Sequence, residues 1–304
     1  MTDRMQLRPR ITTRVRRHLA TGLRRLGHAL GVEHPTLDDL HLVLTIPKTG
    51  TYSLLALAQR LHPNGDVRSA NHRLVFHIDE FSDEDDTGTR DFIVNRGWET
   101  GRVSERVAVH QRLRRRAQAS RSVQPRPISL LVATREPVGR FISGVYFRRW
   151  SVQRSTTLDD MRKLVFDPRP LAIIKSGRWW DLDLWFDHQV KAHFGIDVFA
   201  EPFDVERGWQ IYEGEDARML LIRQESFARL PQAIAAFYGL SSVPAEVPHE
   251  NAGKDHGYEA AYREAKATIK LPDSILDEAY GTRYARHFYS DAELQAFKRR
   301  WAEQ

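Results

Sequence analysis

The chain has 304 residues, of which 41% are hydrophobic and 28% are charged. These proportions are typical of a globular protein with a sizeable core, and no apolar run is long enough to span a bilayer. The absence of cysteine excludes disulfides and thiolate metal sites, and it favours a reducing compartment. Of the net charge of +6, roughly +7 lies in residues 1–32. The remainder is therefore close to neutral and does not indicate a nucleic-acid-binding protein.

The first 35 residues are predicted to form a basic N-terminal arm, followed by a single domain over residues 36–304. Apolar residues from Ile11 to Leu30 recur at helical spacing between arginines, which is typical of a basic amphipathic helix. Three interpretations stay open: packing on the domain, anchoring to anionic lipid, or a transit peptide or disordered tail. The segment has no continuous apolar core, so we expect no secretory signal.

The rest of the chain alternates apolar strands with amphipathic helices. Strands are predicted at Leu42–Ile46, His72–Ile78 and Ile128–Thr134, and a strand, turn and strand at residues 209–222. Helices are predicted at Thr51–Leu61, Val103–Ala119, 137–150, Leu158–Phe166, Asp181–Phe194, Ser226–Tyr238, Tyr258–Ala267, Ser274–Tyr280 and Asp291–Trp301. A loop is expected at residues 241–257. This order predicts a three-layer α/β domain with a parallel sheet.

The stretch PKTGTYS, residues 47–53, joins the first predicted strand to the first predicted helix. Backbone N–H groups at a helix start bind anions, and Gly50 allows the main chain to approach closely. Lys48 supplies a positive charge. Three hydroxyl side chains complete the turn: Thr49, Thr51 and Ser53. Because the lysine precedes the glycine and no glycine opens the turn, the spacing differs from the Walker A motif of kinases and ATPases.

A second turn, REPVGRFIS, follows the predicted strand Ile128–Thr134. Arg135 stands at the end of that strand, and Ser143 lies eight residues further on, in a helix that Pro137 opens. A guanidinium at a strand end and a hydroxyl on the facing helix can bind one phosphate. Taken alone, a surface arginine and an ordinary helix serine would be the simpler interpretation. The first turn, at the same edge of the sheet, favours the phosphate site.

Together the two turns resemble those of the sulfotransferases that use PAPS (3′-phosphoadenosine 5′-phosphosulfate). PKTGTYS is similar to the family's 5′-phosphosulfate loop, and REPVGRFIS is similar to its 3′-phosphate motif. The resemblance implies a P-loop-like sulfotransferase fold with a central parallel sheet and a helical C-terminal region. It also implies that PAPS binds to Lys48, Thr49, Gly50, Thr51, Tyr52, Ser53, Arg135 and Ser143.

The C-terminal half resembles bacterial capsular polysaccharide synthesis proteins, which carry the same loop. The similar blocks are FGIDVF, GWQIY, MLLIRQESF, IKLPDSILDEAY and RHFYSDAELQAFKRRW. Residues 251–258 match the N-K-W-Y-S signature of that group only faintly. The two turns and the C-terminal blocks together extend the resemblance over most of Leu40–Trp301. The C-terminal blocks imply that the acceptor is a hydroxyl of a glycan, a glycolipid or a related metabolite.

The chemistry that the resemblance implies is in-line sulfuryl transfer without a metal. Lys48 would offset charge on the leaving phosphate. His77 lies at the end of the strand predicted for residues 72–78, where such enzymes often carry their base, and an imidazole suits proton removal at neutral pH. His72 and Asp79 are the other candidates for this role.

Two other functions stay open at this point. One is a nucleotide-dependent kinase with a P-loop-like anion site, which a preference for ATP with magnesium would favour. The other is a non-catalytic, membrane-associated nucleotide-binding scaffold, which binding without turnover would favour. We expect a cytoplasmic protein, peripheral to a membrane if the arm binds lipid.

Overall fold

The described part of the protein is built around a mostly parallel, five-stranded sheet. The computed structural model describes residues 40–46, 48–69, 103, 107–115, 117–119, 126–144, 182–242, 263 and 266–302. The strands are β1 (Leu40–Val43), β2 (Asp66–Ser69), β3 (Ile128–Thr134), β4 (Trp209–Glu213) and β5 (Ala217–Arg223). Their spatial order is β2-β1-β3-β5-β4. All neighbours are parallel except β4 and β5, which form an antiparallel hairpin.

Helices surround this sheet. They are α1 (Thr51–Leu61), α2 (107–115), α3 (137–144), α4 (182–194), α5 (Leu230–Tyr238), α6 (Asp273–Gly281), α7 (Arg283–Phe288) and α8 (Asp291–Trp301). The middle of α4, Asp187–Lys191, is a π-helix, and α4 ends at Gly195, whose φ of 68° lies in the left-handed region. A 3₁₀ segment, Gln224–Arg229, joins β5 to α5.

Successive residues of the strands face opposite layers of helices. Leu131 and Ala133 of β3 pack with α1 and α5. Leu130 and Val132 of the same strand belong to the core shared with α2, α3, α4 and the C-terminal helices. This two-residue period with burial on both sides is typical of a sheet covered on both faces. The predicted three-layer α/β architecture is confirmed, whereas its assignment to the P-loop-like sulfotransferase fold stays a prediction.

Three elements lie at their predicted bounds: α1, β3 and α8. Helix α8 also begins with a capping box formed by Ser290 and Glu293. Glu293 N donates to Ser290 Oγ at 3.3 Å, and Ser290 N donates to Glu293 Oε2 at 2.9 Å. These elements carry strong local signals, namely a continuous apolar run, a helical period and a cap.

The bounds predicted for the first strand, Leu42–Ile46, are wrong. The strand pairs over Leu40–Val43, and among the described residues one further ladder bond follows, from Leu44 N to Leu131 O at 3.1 Å. Residues 44–46 are buried but already leave the ladder for the turn. The apolar run in the sequence is longer than the hydrogen-bonded strand, because residues beyond the end of the strand are buried as well.

Two elements were not predicted. Strand β2 has the polar sequence DVRS and pairs with β1 along its whole length, as an edge strand with half-buried side chains. Helix α7 is a short helix between two longer ones. In both, contacts with the rest of the fold outweigh a weak local pattern. The segment predicted as one helix over Ser226–Tyr238 begins as the 3₁₀ segment and becomes α-helical at Leu230.

Several predicted features lie outside the described residues: the arm at residues 1–35, the strand His72–Ile78, the helix Leu158–Phe166 and most of the loop 241–257. The described residues belong to one compact unit, Asp39–Gln304. The predicted domain boundary at residue 36 stays a prediction. Within the described ranges, no helix has both the length and the apolar character needed to cross a membrane.

Candidate functional site

The carboxyl ends of β1 and β3 meet where the connections of the sheet diverge. From β1 the chain passes through α1 to β2 on one side, while β3 pairs with β1 on the other side. Helix α1 packs on one face, whereas Val107 of α2, which precedes β3, packs on the other. Ligands of open α/β sheets bind in the crevice at such a switch point. The two turns predicted to bind anions flank this crevice.

The first turn is tightly wound. Lys48 and Gly50 have positive φ angles of 69° and 97°. The Thr49 hydroxyl donates to the carbonyl oxygen of Ile46 at 2.6 Å, and the hydroxyl of Thr51 shares a hydrogen bond with that of Thr45. These hydroxyls therefore hold the turn in shape. Main-chain N–H groups and Lys48 are left as the groups of this turn best suited to an anion.

Helix α1 begins directly at this turn. Its N-cap is Gly50, no side chain of the described residues caps it, and no acidic residue lies in its first turn. The first N–H groups of a helix have no partner within the helix, and the helix dipole places partial positive charge there. Ser53 is buried beneath this start, whereas Tyr52 is 49% exposed. An anion is the ligand that such a helix start stabilises best.

The second turn is organised differently, because its helix start is already capped. The carboxylate of Glu136 accepts hydrogen bonds from Val138 N at 3.0 Å and Gly139 N at 2.6 Å. Burial raises the pKa of Glu136, although a hydrogen bond from Tyr280 opposes this shift. An anion at this turn therefore has to be bound by side chains rather than by the first amides of α3.

Positive side chains stand beside this cap. Arg135 is half-buried at the end of β3. Arg140 is buried one turn into α3, and burial lowers its pKa to about 10, so that it keeps its charge at neutral pH. The neighbouring charge of Arg135 acts in the same direction on Arg140, while Glu136 opposes it.

The two turns are in direct contact. Arg135 Nη1 donates to the carbonyl oxygen of Lys48 at 3.1 Å. The Lys48 side chain also approaches α3, since its Cγ lies 3.9 Å from the position that a Cβ on Gly144 would take. Ser143, the residue before Gly144, is half-buried. The structure thus brings Lys48 and Arg135 together and places Ser143 on the helix beside them.

The residues that brace these turns were not predicted. Glu225 Oε1 accepts from Glu136 N at 2.8 Å, and Tyr280 donates to Glu136 Oε2 at 2.9 Å. The ring of Phe227 covers Gly50, because a Cβ there would lie 2.6 Å from the ring. The position of Glu136 before Pro137, at a helix start, could have indicated its capping role. The distant partners carry no local signal.

An open cleft lies at the carboxyl end of β5, beside the crevice rather than in it. Its lining includes Arg223, Glu225, Ser226, Arg229 and Glu293. Arg223 Nη1 already donates to Glu293 at 2.9 Å and to the carbonyl oxygen of Phe288 at 3.1 Å. Arg229 likewise donates to the carbonyl oxygen of Glu206. Both arginines are thus engaged by protein oxygens, and the cleft is less suited to an anion than the two turns are.

The predicted base cannot be placed against these groups, because His77 and its alternatives, His72 and Asp79, lie outside the described residues. Their roles stay predictions.

One family model matches the chain. It is described as "putative capsular polysaccharide synthesis protein", and the match runs over residues 171–290. The segment includes β4, β5 and α7 but neither turn, and it covers less than half of the chain. This confirms the predicted resemblance to that group for the C-terminal part only. Comparison with curated proteins and with solved structures gave no match.

Proposed function

We propose that this protein is a PAPS-dependent sulfotransferase that modifies a hydroxyl of a carbohydrate or glycolipid. The observation that carries the proposal is the 3.1 Å contact between Arg135 and the Lys48 turn at the switch point of the sheet. The contact joins two groups that bind anions in different ways, namely the start of α1 and the guanidinium of Arg135. A ligand with two separate anionic groups suits this pair, and PAPS carries a 5′-phosphosulfate and a 3′-phosphate.

Each turn has a distinct task in the proposed reaction. When bound, PAPS supplies a sulfuryl group on a phosphate leaving group. Lys48 and the first amides of α1 hold the phosphosulfate and offset the charge that develops on the leaving oxygen. Arg135 and Ser143 hold the 3′-phosphate and so fix the nucleotide in the crevice. His77 removes the proton of the acceptor hydroxyl.

The acceptor class rests on the family match. The matched segment, residues 171–290, links the C-terminal part of the chain to polysaccharide synthesis. A glycan or glycolipid hydroxyl is consistent with both that link and sulfuryl transfer. Binding of anionic membrane by the arm would bring the enzyme to a lipid-linked acceptor.

The substitution Arg135→Ala tests the assignment of the two anion sites. It removes a charge-assisted bond to one phosphate, so affinity for 3′-phosphoadenosine 5′-phosphate (PAP) should fall by roughly 10-fold or more. Affinity for 5′-AMP, which lacks the 3′-phosphate, should change little. Calorimetric titration of wild type and variant with both ligands measures this. Equal weakening of the two ligands would contradict the assignment.

A further inference from the structure

We infer that Tyr284 is a positioning residue for Arg135, and that selectivity for a 3′-phosphorylated nucleotide depends on its hydroxyl. The inference rests on the proposed function, because it concerns the proposed 3′-phosphate site. Tyr284 lies in α7, within the segment that the family model matches, whereas Arg135 lies outside that segment. The matched segment thereby acquires a role in the anion site.

The hydroxyl of Tyr284 makes two hydrogen bonds to the main chain of Arg135. Arg135 N donates to Tyr284 Oη at 3.0 Å, and the Tyr284 hydroxyl donates to the carbonyl oxygen of Arg135 at 2.9 Å. One hydroxyl thus satisfies both main-chain polar groups of the residue at the end of β3. Tyr284 is completely buried. With the main chain held on one side, the Arg135 side chain reaches the Lys48 carbonyl on the other.

The next residue is braced from the same direction. Glu136 N donates to Glu225 Oε1 at 2.8 Å, and Tyr289 donates to Glu225 Oε2 at 3.0 Å. The end of β3 is therefore fixed by side chains that come from the C-terminal part of the chain. Among these side chains, Tyr284 bonds directly to Arg135, whereas Glu225 bonds to Glu136. We expect it to dominate the orientation of the guanidinium.

The ring of Tyr284 has a separate, structural task. It packs against Phe186, with ring centroids 6.2 Å apart, and against Phe288, with centroids 5.1 Å apart. Substitution by phenylalanine keeps these ring contacts and removes only the hydroxyl. Tyr284→Phe therefore separates positioning of Arg135 from packing of the core.

Without the hydroxyl, Arg135 loses two hydrogen bonds that hold its main chain. A binding group that is free to move loses affinity, because ordering it is then part of the cost of binding. We expect Tyr284→Phe to weaken PAP by about 10-fold, as the loss of one or two hydrogen bonds implies. Affinity for 5′-AMP should change less than about twofold, since its phosphate is held by the first turn.

The test is a double-mutant cycle read by calorimetry. The ratio of the PAP and 5′-AMP dissociation constants is measured for wild type, Tyr284→Phe, Arg135→Ala and the double variant. If Tyr284 acts through Arg135, the double variant should have the same ratio as the Arg135→Ala single variant. The matched control is Tyr212→Phe. Tyr212 is also buried in the same core cluster, and its hydroxyl has no hydrogen-bond partner among the described residues. This control should leave the ratio as in wild type.

Each outcome decides the inference. The inference is overturned if Tyr284→Phe leaves the ratio of the two dissociation constants at the wild-type value. It is also overturned if Tyr284→Phe changes that ratio by the same factor in the wild-type and Arg135→Ala backgrounds. If thermal melting shows that Tyr284→Phe does not fold, Tyr289→Phe serves instead. It loosens Glu136 through Glu225, so it should shift the ratio in the same direction by a smaller amount, and no shift overturns the inference. A wild-type protein that does not prefer PAP over 5′-AMP refutes the proposed function instead.

Discussion

At the scale of single residues, Arg135 and Glu136 are neighbours with opposite tasks. Arg135 points its guanidinium at the first turn, whereas Glu136 turns its carboxylate onto the start of α3. The carboxylate occupies a helix start that an anionic ligand could otherwise bind. Among the described residues, this leaves the start of α1 as the helix start at the crevice that is better suited to an anion, with the guanidinium as its proposed complement.

The buried carboxyl of Glu136 gives stability a pH dependence of defined sign. Burial raises its pKa in the folded protein above the ordinary value. The folded state then binds the proton more tightly than the unfolded chain, so this group lowers stability as pH rises from the ordinary glutamate range through the raised folded pKa. Glu136→Gln cannot titrate. The unfolding free energy of wild type minus that of the variant should fall by at most about 1.4 kcal/mol per pH unit in that window.

Urea unfolding of both proteins between about pH 4 and pH 8 measures this difference. A difference that instead rises with pH would show that the hydrogen bonds to the carboxylate outweigh its burial.

The general base is the second prediction at this scale. If His77 removes the acceptor proton, His77→Ala should lower turnover by about 10²–10⁴-fold, because that is the usual contribution of general-base catalysis. PAP affinity should change little, since the phosphates are held by the two turns. Turnover with labelled PAPS and a panel of hydroxylated glycans and glycolipids measures the effect.

His72→Ala is the matched control for this variant and should retain most of the turnover. Full activity of His77→Ala with loss in His72→Ala or Asp79→Ala would move the base to one of those residues. Sulfuryl transfer itself would not be contradicted.

At the scale of elements, the start of α1 depends on a single glycine. Gly50 has a φ of 97°, and the Phe227 ring lies 2.6 Å from the position that a Cβ would take. Gly50→Ala should therefore lower the unfolding free energy by about 1–3 kcal/mol through backbone strain, with a further cost for moving the ring. It should also weaken nucleotide binding. Urea unfolding and PAP titration measure the two effects.

Gly195→Ala is a matched control, because its φ of 68° is also left-handed but nothing lies within 4 Å of its Cβ position. It should lower stability by about 1–2 kcal/mol and leave PAP affinity unchanged. A Gly195→Ala variant at least as unstable as Gly50→Ala would show that the Phe227 contact contributes nothing.

Elements with a strong local signal were predictable from the sequence, and elements held by partners were not. A continuous apolar run sets the bounds of β3, and a helical period with an N-terminal capping box sets those of α8. Both signals are local in the sequence. Strand β2 has no apolar run, and its Asp66 and Arg68 bond to each other beside the ladder. Its strand character comes from hydrogen bonds to β1, which a local pattern does not contain.

The same division holds for the candidate site. Lys48, Gly50 and Arg135 stand in turns whose composition indicates an anion. The side chains that hold these turns in place could not be found from a local pattern. Tyr284 lies 149 residues from Arg135, and Glu225 lies 89 residues from Glu136. Such contacts depend on how the C-terminal helices pack against the sheet.

At the scale of the whole molecule, the basic arm is predicted to be separable from catalysis. Deletion of residues 1–31 should leave PAP affinity unchanged and reduce sedimentation with vesicles that contain anionic lipid, because the net positive charge of the chain is concentrated in this segment. Neutral vesicles are the control. An unchanged sedimenting fraction, or loss of folding on truncation, would favour packing of the arm on the domain.

We propose that the crevice between β1 and β3 binds a nucleotide with phosphates at both the 3′ and 5′ positions. Calorimetric titration of the full-length wild-type chain with PAP, 5′-AMP and ATP with magnesium tests it most directly. We expect PAP to bind at least about 10-fold more tightly than 5′-AMP, because a second phosphate meets the Arg135 guanidinium, and more tightly than ATP with magnesium. Tighter binding of ATP with magnesium, or equal binding of PAP and 5′-AMP, would contradict it.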